Sequence, residues 1–291
     1  MDVYGLQAKY HMKKYGSTPE QIAYAAAKNH NNGALNPKAH YRFEMTPEQV
    51  LADREISWPF TRSMCASMTD GAAAIIICSE AYLKTQTQSV KDRAICIRAA
   101  LFTGGKYRSV SEPSLTHIAA NKAYQKTGIN PNQIDVAEIH DASSFCEIYQ
   151  SEMLGFCEIG EGGEFIASGA TKIGGTIPIN TSAGLVSKGH PIGATGLSMT
   201  FELVTQLRGD AGKRQVKDAA IALQENGGGI IGMEEGRIDG AIAAAILLGM
   251  IQAFGQQYFA GWIELGTNLF LVVILVFRPQ GLFALTQERT G

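Results

Sequence analysis

The most informative segment of the chain, residues 180–196, reads Asn180-Thr181-Ser182-Ala183-Gly184-Leu185-Val186-Ser187-Lys188-Gly189-His190-Pro191-Ile192-Gly193-Ala194-Thr195-Gly196. Glycines flank His190 just before a helix predicted from about Gly193 to Arg208, and such small residues let a ligand approach the backbone closely. The free N–H groups and positive dipole end of a helix N-terminus favour an anion or a developing oxyanion. A histidine at this position is suited to act as a general base. A loop whose histidine only hydrogen-bonds the backbone is the open alternative.

A second polar cluster, Glu138-Ile139-His140-Asp141-Ala142, lies between a predicted strand over Ile134–His140 and a predicted helix over Ala142–Leu154. Ligands of α/β sheets bind outside the carboxyl ends of the strands, so His140 and Asp141 are candidate site residues. Asp141 is equally well placed to cap the helix. A third cluster, Asn226-Gly227-Gly228-Gly229, offers consecutive backbone N–H groups to an oxyanion, although a plain hairpin turn explains four such residues more simply.

The order of the predicted elements indicates an α/β protein. Thr18-Pro19-Glu20-Gln21 recurs as Thr46-Pro47-Glu48-Gln49, and each copy predicts a helix start with Thr as the N-cap and Pro at the first helical position. This N-terminal region has few long apolar runs and is expected to lie over another body. Strands then alternate with helices, as in layered α/β proteins. The predicted strands are Ala72–Cys78, Ala94–Leu101, Ile134–His140, Ala219–Leu223 and Ile230–Met233, and the helices between them are Ser114–Lys126, Ala142–Leu154 and Gly193–Arg208.

Composition excludes several classes of protein. The chain has 291 residues with a formal net charge of −2, 45% hydrophobic and 18% charged residues, which is typical of a globular protein without a nucleic-acid footprint. The five cysteines form no C-x-x-C pair, which argues against a disulfide framework or a zinc site and favours a cytoplasmic location for residues 1–235. Two cysteines in apolar runs are predicted to be core, and four histidines to be surface or loop residues: Cys78 and Cys96, and His11, His30, His40 and His117.

Residues 180–196 resemble the signature of the thiolase family, and Gly189-His190-Pro191 resembles its catalytic histidine motif. His140-Asp141-Ala142 is similar to the variant found in thiolases of the sterol-carrier-protein type, and Asp70-Gly71-Ala72-Ala73-Ala74 to the strand that closes the family's N-terminal half. The resemblance covers about Met1 to Glu235. It implies αβαβα layers with a truncated N-terminal half over residues 1–112, a C-terminal domain over 113–235, acyl-CoA substrates and a homodimer.

The resemblance also implies roles for individual residues. His190 would activate a nucleophilic cysteine and bind the thioester oxygen, and His140, followed by Asp141, would position a water or an oxyanion. The backbone of Gly228 and Gly229 would supply a second oxyanion site. Substrate would contact Ser182, Gly184 and Gly189. The implied reaction takes a CoA thioester as substrate and needs no further cofactor or metal.

Two departures from the family pattern affect the expected activity. None of the five cysteines stands in the motif of the family's nucleophile, and Ala142 and Asn226 stand where other members carry an acid/base cysteine. Claisen chemistry needs a thiolate and an acid/base, so impaired acyl transfer is expected. Some thiolase-like relatives without these cysteines act as retro-aldolases with a small OB-fold partner, and this is an alternative function.

The last part of the chain, residues 236–291, has a different character. Glu264 is the only charged residue between Gly240 and Phe277. The run Arg278-Pro279-Gln280-Gly281-Leu282-Phe283 resembles the C-terminus of a branched-chain amino-acid ABC transporter permease. The tail is therefore predicted to form two apolar, transmembrane helices and to associate the chain with a membrane, with a permease-like fragment as an alternative function. A pair of helices buried in the globular body is the other interpretation.

Overall fold

A computed structural model describes residues 1–104 and 108–227 of the chain. One compact unit comprises Met1–Thr103 with Arg108–Gly232, and a second comprises Gly104–Tyr107 with Met233–Gly291. The described α-helices are α1 Asp2–Tyr15, α2 Pro19–Ala34, α3 Pro47–Leu51, α4 Glu80–Lys84, α5 Gln88–Asp92, α6 Leu115–Thr127, α7 Phe145–Met153, α8 Gly162–Ala167, α9 Gly184–Lys188 and α10 Thr195–Leu207. The described strands are β1 Glu55–Ser57, β2 Phe60–Thr61, β3 Val136–Glu138 and β4 Ala222–Gln224, and 3-10 turns span Arg62–Met64, Pro131–Gln133 and Gly212–Arg214.

The two repeated Thr-Pro-Glu-Gln motifs begin helices, as predicted. The Thr18 hydroxyl accepts the N–H of Gln21 at 3.3 Å, and the Gln21 side chain accepts the N–H of Thr18 at 3.0 Å. Thr46 and Gln49 repeat this reciprocal pair at 3.3 and 2.9 Å. Each box satisfies two N–H groups that a helix start leaves without intrahelical partners.

The N-terminal helices share one hydrophobic core with the later part of the chain. Ile22 of α2 and Phe60 of β2 pack in a cluster with Phe145 and Ile148 of α7 and Ile166 of α8. All five side chains are buried. The expectation that the first seventy residues lie over another body is therefore confirmed, and that body includes α7 and α8.

The centre of the second half is a short parallel sheet. β3 pairs in parallel with β4, with Val136 opposite Ala222 and Glu138 opposite Gln224. On the other side of β3, Ala137 forms a parallel bridge with Ile179. The predicted strands over 134–140 and 219–223 are thus confirmed, with shorter bounds. All three segments end on the same edge of the sheet, where the polar clusters of the sequence follow.

Helices cover both faces of this sheet. Neighbouring strand residues point to opposite faces, so each face presents apolar side chains to a helix. Ala137 packs with Ala120 of α6, whereas Val136 packs with Leu203 of α10. Gly128, at φ +71°, ends α6 where a stop was predicted. Helix α7 begins three residues later than predicted, since Ala142 and Ser144 bond instead to the backbone of Ala66 and Met64. The described residues therefore form an α/β arrangement, and the full αβαβα layering stays a prediction.

Two predicted strands are wrong. Residues 72–78 and 94–101 have no regular secondary structure, and Ile76 is 98% and Ile97 62% exposed. A strand is stabilised by its neighbours, and within the described ranges these runs have none. The prediction that Cys78 and Cys96 are core residues is wrong for the same reason, because both are exposed.

The apolar tail lies outside the described residues. So do the predicted strand Ile230–Met233 and the predicted oxyanion glycines Gly228 and Gly229. Among the helices of residues 1–104 and 108–227, none is both long and apolar enough to cross a membrane. The two transmembrane helices predicted for residues 236–291 remain a prediction from the sequence.

Candidate active site

Two imidazole rings meet at the carboxyl edge of the parallel sheet. His140 follows β3 and His190 lies between α9 and α10, and their ring centroids are 5.0 Å apart with an edge-to-face angle of 86°. Both side chains are partly buried. Residues fifty positions apart are thus brought together at the place where the sequence predicts a site.

His140 is held by two consecutive residues that follow β4. Its main-chain N–H donates to the Glu225 carboxylate at 3.0 Å, and its ring Nδ1 lies 3.1 Å from the Asn226 amide oxygen. An amide oxygen only accepts hydrogen bonds, so this contact fits the ring tautomer that carries its proton on Nδ1. The Nε2 atom of the neutral ring therefore keeps a lone pair.

A different contact favours the same tautomer of His190. Its Nδ1 lies 2.8 Å from the hydroxyl of Thr195, and that hydroxyl donates to the Pro191 carbonyl at 3.0 Å. With the hydroxyl donating to Pro191, the ring donates to it in the tautomer that carries the proton on Nδ1. The main-chain N–H of His190 donates to Ser67 O at 2.9 Å, which ties the loop to the N-terminal region.

Both rings have pKa values below the usual histidine range. Burial lowers the pKa of His140 most; the Asn226 hydrogen bond opposes this and the neighbouring His190 adds to it. Burial also lowers the pKa of His190. Within the described part of the chain, neither Nε2 atom has a hydrogen-bond partner. The pair thus presents two unprotonated nitrogens, which is the form that a general base requires.

Asp141 points away from this pair and anchors the glycine-rich loop. Its buried carboxylate accepts the N–H of Leu185 at 2.5 Å and the amide of Asn29 at 2.9 Å. Burial raises the pKa of Asp141 well above its usual range; the Leu185 bond opposes the shift and the nearby Glu147 charge adds to it. A direct role of Asp141 in catalysis stays a prediction, and its observed contacts are those of a residue that positions the start of α9.

The three residues predicted to contact substrate are close-packed. The Ser182 hydroxyl donates to Glu138 at 2.6 Å and accepts from the Lys188 ammonium at 2.7 Å. Gly184 has φ +57°, and a Cβ there would collide with the Asp141 carboxylate. Gly189 has φ +98°, and a Cβ there would collide with Thr69. Their contact with a ligand stays a prediction; what the structure shows is that they shape the loop that carries His190.

An open cleft lies beside the loop. Its volume is about 390 Å³. Small residues and a proline form most of its wall: Thr69, Asp70, Gly71, Ala72, Ala73, Pro191, Ile192, Gly193 and Ala194. A ligand in this cleft would lie against residues 191–194, which follow His190 in the chain and precede α10.

The described residues offer neither an activated thiol nor a metal-binding cluster. Burial raises the pKa of Cys65 to about 11 and the pKa values of Cys146 and Cys157 to about 12. Such thiols hold no appreciable thiolate at neutral pH. In residues 1–104 and 108–227, no group of three His, Cys, Asp or Glu side chains is placed to hold a metal ion.

Some functional residues were not singled out from the sequence. Thr195 and Glu225 each bond to one of the two histidines, and Lys188 bonds to Ser182. A hydroxyl at the first position of the helix after His190 is a local signal for Thr195, whereas Glu225 has no local signal. The prediction that His11 and His30 are surface or loop residues is wrong, since they are only 3% and 1% exposed. His11 bonds Ser17 and Glu152, and His30 bonds Ser63.

Two curated proteins are similar to this chain over most of its length. A protein of Methanothermobacter thermautotrophicus called acetyl-CoA acetyltransferase is 38% identical over 232 residues, covering 78% of this chain and 60% of the relative. The human protein called sterol carrier protein 2 is 40% identical over 240 residues, covering 79% of this chain and 44% of the relative. The chain therefore spans about 60% or less of the length of these relatives.

A solved structure and a family model give the fold and the domain. The structure called Ltp2-ChsH2(DUF35) aldolase matches with a TM-score of 0.61 at 24% identity, covering 76% of this chain and 59% of that chain, which indicates a thiolase-like α/β fold. The family model described as thiolase C-terminal domain-like matches residues 107–238, which include both histidines and the glycine-rich loop. Residues 107–238 therefore belong to the thiolase C-terminal domain family.

Proposed function

We propose that this chain binds CoA thioesters and that its two histidines move protons in thiolase-type acyl transfer. One observation carries the proposal. Both rings have Nδ1 within hydrogen-bond distance of an oxygen, of Asn226 and of Thr195, and within the described residues both leave Nε2 without a partner at the carboxyl edge of the sheet. The curated relative named acetyl-CoA acetyltransferase supports this class of substrate.

In the proposed reaction His190 is the base. Its Nε2 takes a proton from the α-carbon of the acyl group or from an attacking thiol, and the negative charge then develops on the thioester oxygen. His140 accepts one hydrogen of a water through Nε2, and the second hydrogen of that water points at the oxyanion. The start of α10 lies beside the cleft, and the positive end of its helix dipole favours the same charge.

Covalent acyl transfer requires a further group. A thioester exchange needs a thiolate, and the thiols of Cys65, Cys146 and Cys157, which are partly or fully buried, have raised pKa values. We therefore propose that this chain by itself performs proton transfer on the acyl group and is impaired in the complete Claisen reaction. The predicted homodimer, and the absence of a nucleic-acid partner or a further cofactor, belong to the same proposal.

A retro-aldolase is the second candidate function. Cleavage of a 3-hydroxyacyl thioester begins with removal of the hydroxyl proton and leaves an enolate, so it needs a base and an oxyanion site but no acyl-enzyme. The described site offers these groups and no activated thiol, which favours this reaction. The solved structure of similar fold is named as an aldolase with a DUF35 protein, although that likeness supports the fold alone. An OB-fold partner remains part of this alternative.

Exchange of the α-protons of acetyl-CoA in deuterium oxide tests the common step, because it needs no nucleophile. The chain is expected to replace the acetyl protons by deuterium, and His190→Ala to lower the rate about 100-fold, as for loss of a general base. His40→Ala is the matched control, since His40 is exposed. Equal rates for the chain and His190→Ala would contradict the proposal. Release of an aldehyde or ketone from a 3-hydroxyacyl-CoA would select the retro-aldolase.

A further inference from the structure

Glu225 is a buried carboxylate that contacts the main chain of His140 and not its ring. One oxygen accepts the main-chain N–H of His140 at 3.0 Å, and the other accepts the hydroxyl of Thr116 at 3.3 Å. Its own N–H donates to Glu138 O at 2.9 Å, which continues the pairing of β4 with β3 by one residue. Glu225 therefore lies where β3 and β4 both end.

Glu225 and Asn226 hold the same residue at two points. Glu225 fixes the backbone of His140, and Asn226 fixes the proton on its Nδ1. The ring can meet the Asn226 oxygen at 3.1 Å only while its Cα stays in place. Loss of the first bond is thus expected to weaken the second.

Burying a carboxylate to accept the main-chain N–H of His140 is energetically unfavourable. Within the described ranges no lysine, arginine or histidine side chain forms an ion pair with Glu225, and burial raises its pKa to about 7 while the His140 and Thr116 bonds oppose the shift. The charged or titratable groups around it are His140 itself and, from α1 and α7, Tyr4 and Cys146, whose pKa values its charge raises further. No cation compensates the buried charge in the described part of the chain, so helix and sheet packing alone do not account for a glutamate here.

We propose that Glu225 is a positioning residue of the site: by binding the main-chain N–H of His140 it holds the ring where Asn226 keeps the proton on Nδ1 and Nε2 stays open to substrate. The link to substrate rests on the proposed function. The effect on the ring itself does not, and it is measurable in the absence of any reaction.

Nitrogen NMR of the histidine rings in the full chain, labelled with ¹⁵N-histidine, tests the proposal at pH 8. In the unsubstituted chain the His140 signals are expected to show the Nδ1–H tautomer, with assignment by His140→Gln. Glu225→Gln keeps a carbonyl acceptor and should keep that tautomer. Glu225→Leu has no acceptor and should give a mixture of both tautomers. His190 should stay Nδ1–H throughout, and Glu112→Leu, at an exposed glutamate, should change nothing. An unchanged His140 tautomer in Glu225→Leu would overturn the proposal.

A second measurement applies if Glu225→Leu does not fold. The ring nitrogens of His140 in the unsubstituted chain should shift in a step near pH 7, where Glu225 titrates, separately from the titration of the ring at lower pH. Glu225→Gln should abolish this step and Glu112→Gln should keep it; a step that persists in Glu225→Gln would overturn the proposal. If these shifts occur and acetyl-CoA shows no proton exchange, the positioning role stands and the proposed function fails.

Discussion

The Nδ1 atom of His190 lies 2.8 Å from the hydroxyl of Thr195, five residues later on the first turn of α10. The hydroxyl in turn donates a hydrogen bond to the Pro191 carbonyl. This short chain of bonds fixes the histidine tautomer with atoms of a single loop. The side chain that carries the lone pair and the helix that favours an oxyanion are therefore built as one unit.

Thr195→Val should break this unit while keeping the shape of the side chain. Without an acceptor at Nδ1 the ring is free to place its proton on Nε2, so α-proton exchange of acetyl-CoA is expected to fall about tenfold or more, toward the limit set by loss of the base. Thr195→Ser keeps the hydroxyl and should keep the rate. Thr205→Val on the same helix also removes a hydroxyl bonded to a carbonyl four residues back, and is the matched control. A full rate in Thr195→Val would refute the role of the tautomer.

Gly184→Ala should destabilise the protein through the loop and not through the core. The new Cβ would collide with Asp141 and Asn29, and its backbone has φ +57°. Strain of this kind costs about 1–3 kcal/mol in the free energy of unfolding. Gly193→Ala in the same loop meets no atom within 4 Å and should cost less than about 1 kcal/mol. Urea unfolding of both variants checks the difference, and equal losses would count against it.

Local signals in the sequence predict structure correctly because their cause is local. Thr18 and Thr46 cap helices with partners three residues away, and Gly128 ends α6 by its own backbone freedom. The α/β pattern also predicts strands at β3 and β4 and places His140 at a strand end, whereas the contact between His140 and His190 is a finding of the structure. No distant contact had to be known for these predictions.

The failures all concern partners that are distant in sequence. Ile76 lies in a strongly apolar run that is typical of a buried strand, yet it is 98% exposed because burial depends on what packs against it. His11 looks isolated in the sequence and is buried against Glu152, 141 residues away. Glu225 reaches His140 across 85 residues. Such pairs are set by the tertiary fold, so a single sequence carries no pattern for them.

Acetyl-CoA alone should not leave a covalent acetyl group on this chain. The thiols of Cys65, Cys146 and Cys157 have pKa values raised to about 11 or 12, and a raised pKa reduces the thiolate that attacks a thioester. Intact-protein mass spectrometry after incubation with acetyl-CoA at pH 7.5 measures this, with iodoacetamide labelling of the exposed Cys78 and Cys96 as a control for thiol reactivity. An acetyl-cysteine that forms quickly and disappears in His190→Ala would show a working nucleophile and contradict the prediction.

The apolar tail should direct the chain to membranes, on the evidence of its sequence. A spanning helix needs about 20 apolar residues. The segment from Trp262 to Gln280 is strongly apolar, with Glu264 near one end and Arg278 near the other. Full-length protein is therefore expected in the membrane fraction after expression, and protein ending at Glu235 in the soluble fraction. Full-length protein that is dispersed without detergent, together with an unstable shorter form, would show instead that the tail completes the globular body.

The raised pKa of Glu225 should make the protein less stable as pH rises. Its pKa is about 7 in the folded protein and 4.5 for an unperturbed glutamate, so between these values the folded state binds more protons than the unfolded state. The contribution to stability is therefore fully present below about pH 4.5 and is lost as pH rises through about 7, by up to about 1.4 kcal/mol per pH unit. Glu225→Gln should remove this loss, so the variant gains stability relative to the unsubstituted chain as pH rises from 5 to 8. Both histidines have lowered pKa values and act in the opposite direction, but they are present in both proteins and cancel in the difference. Urea unfolding of the pair at pH 5, 6, 7 and 8 gives that difference directly, with Glu112→Gln as the exposed control, and a difference that stays constant with pH would show that Glu225 is ionised throughout.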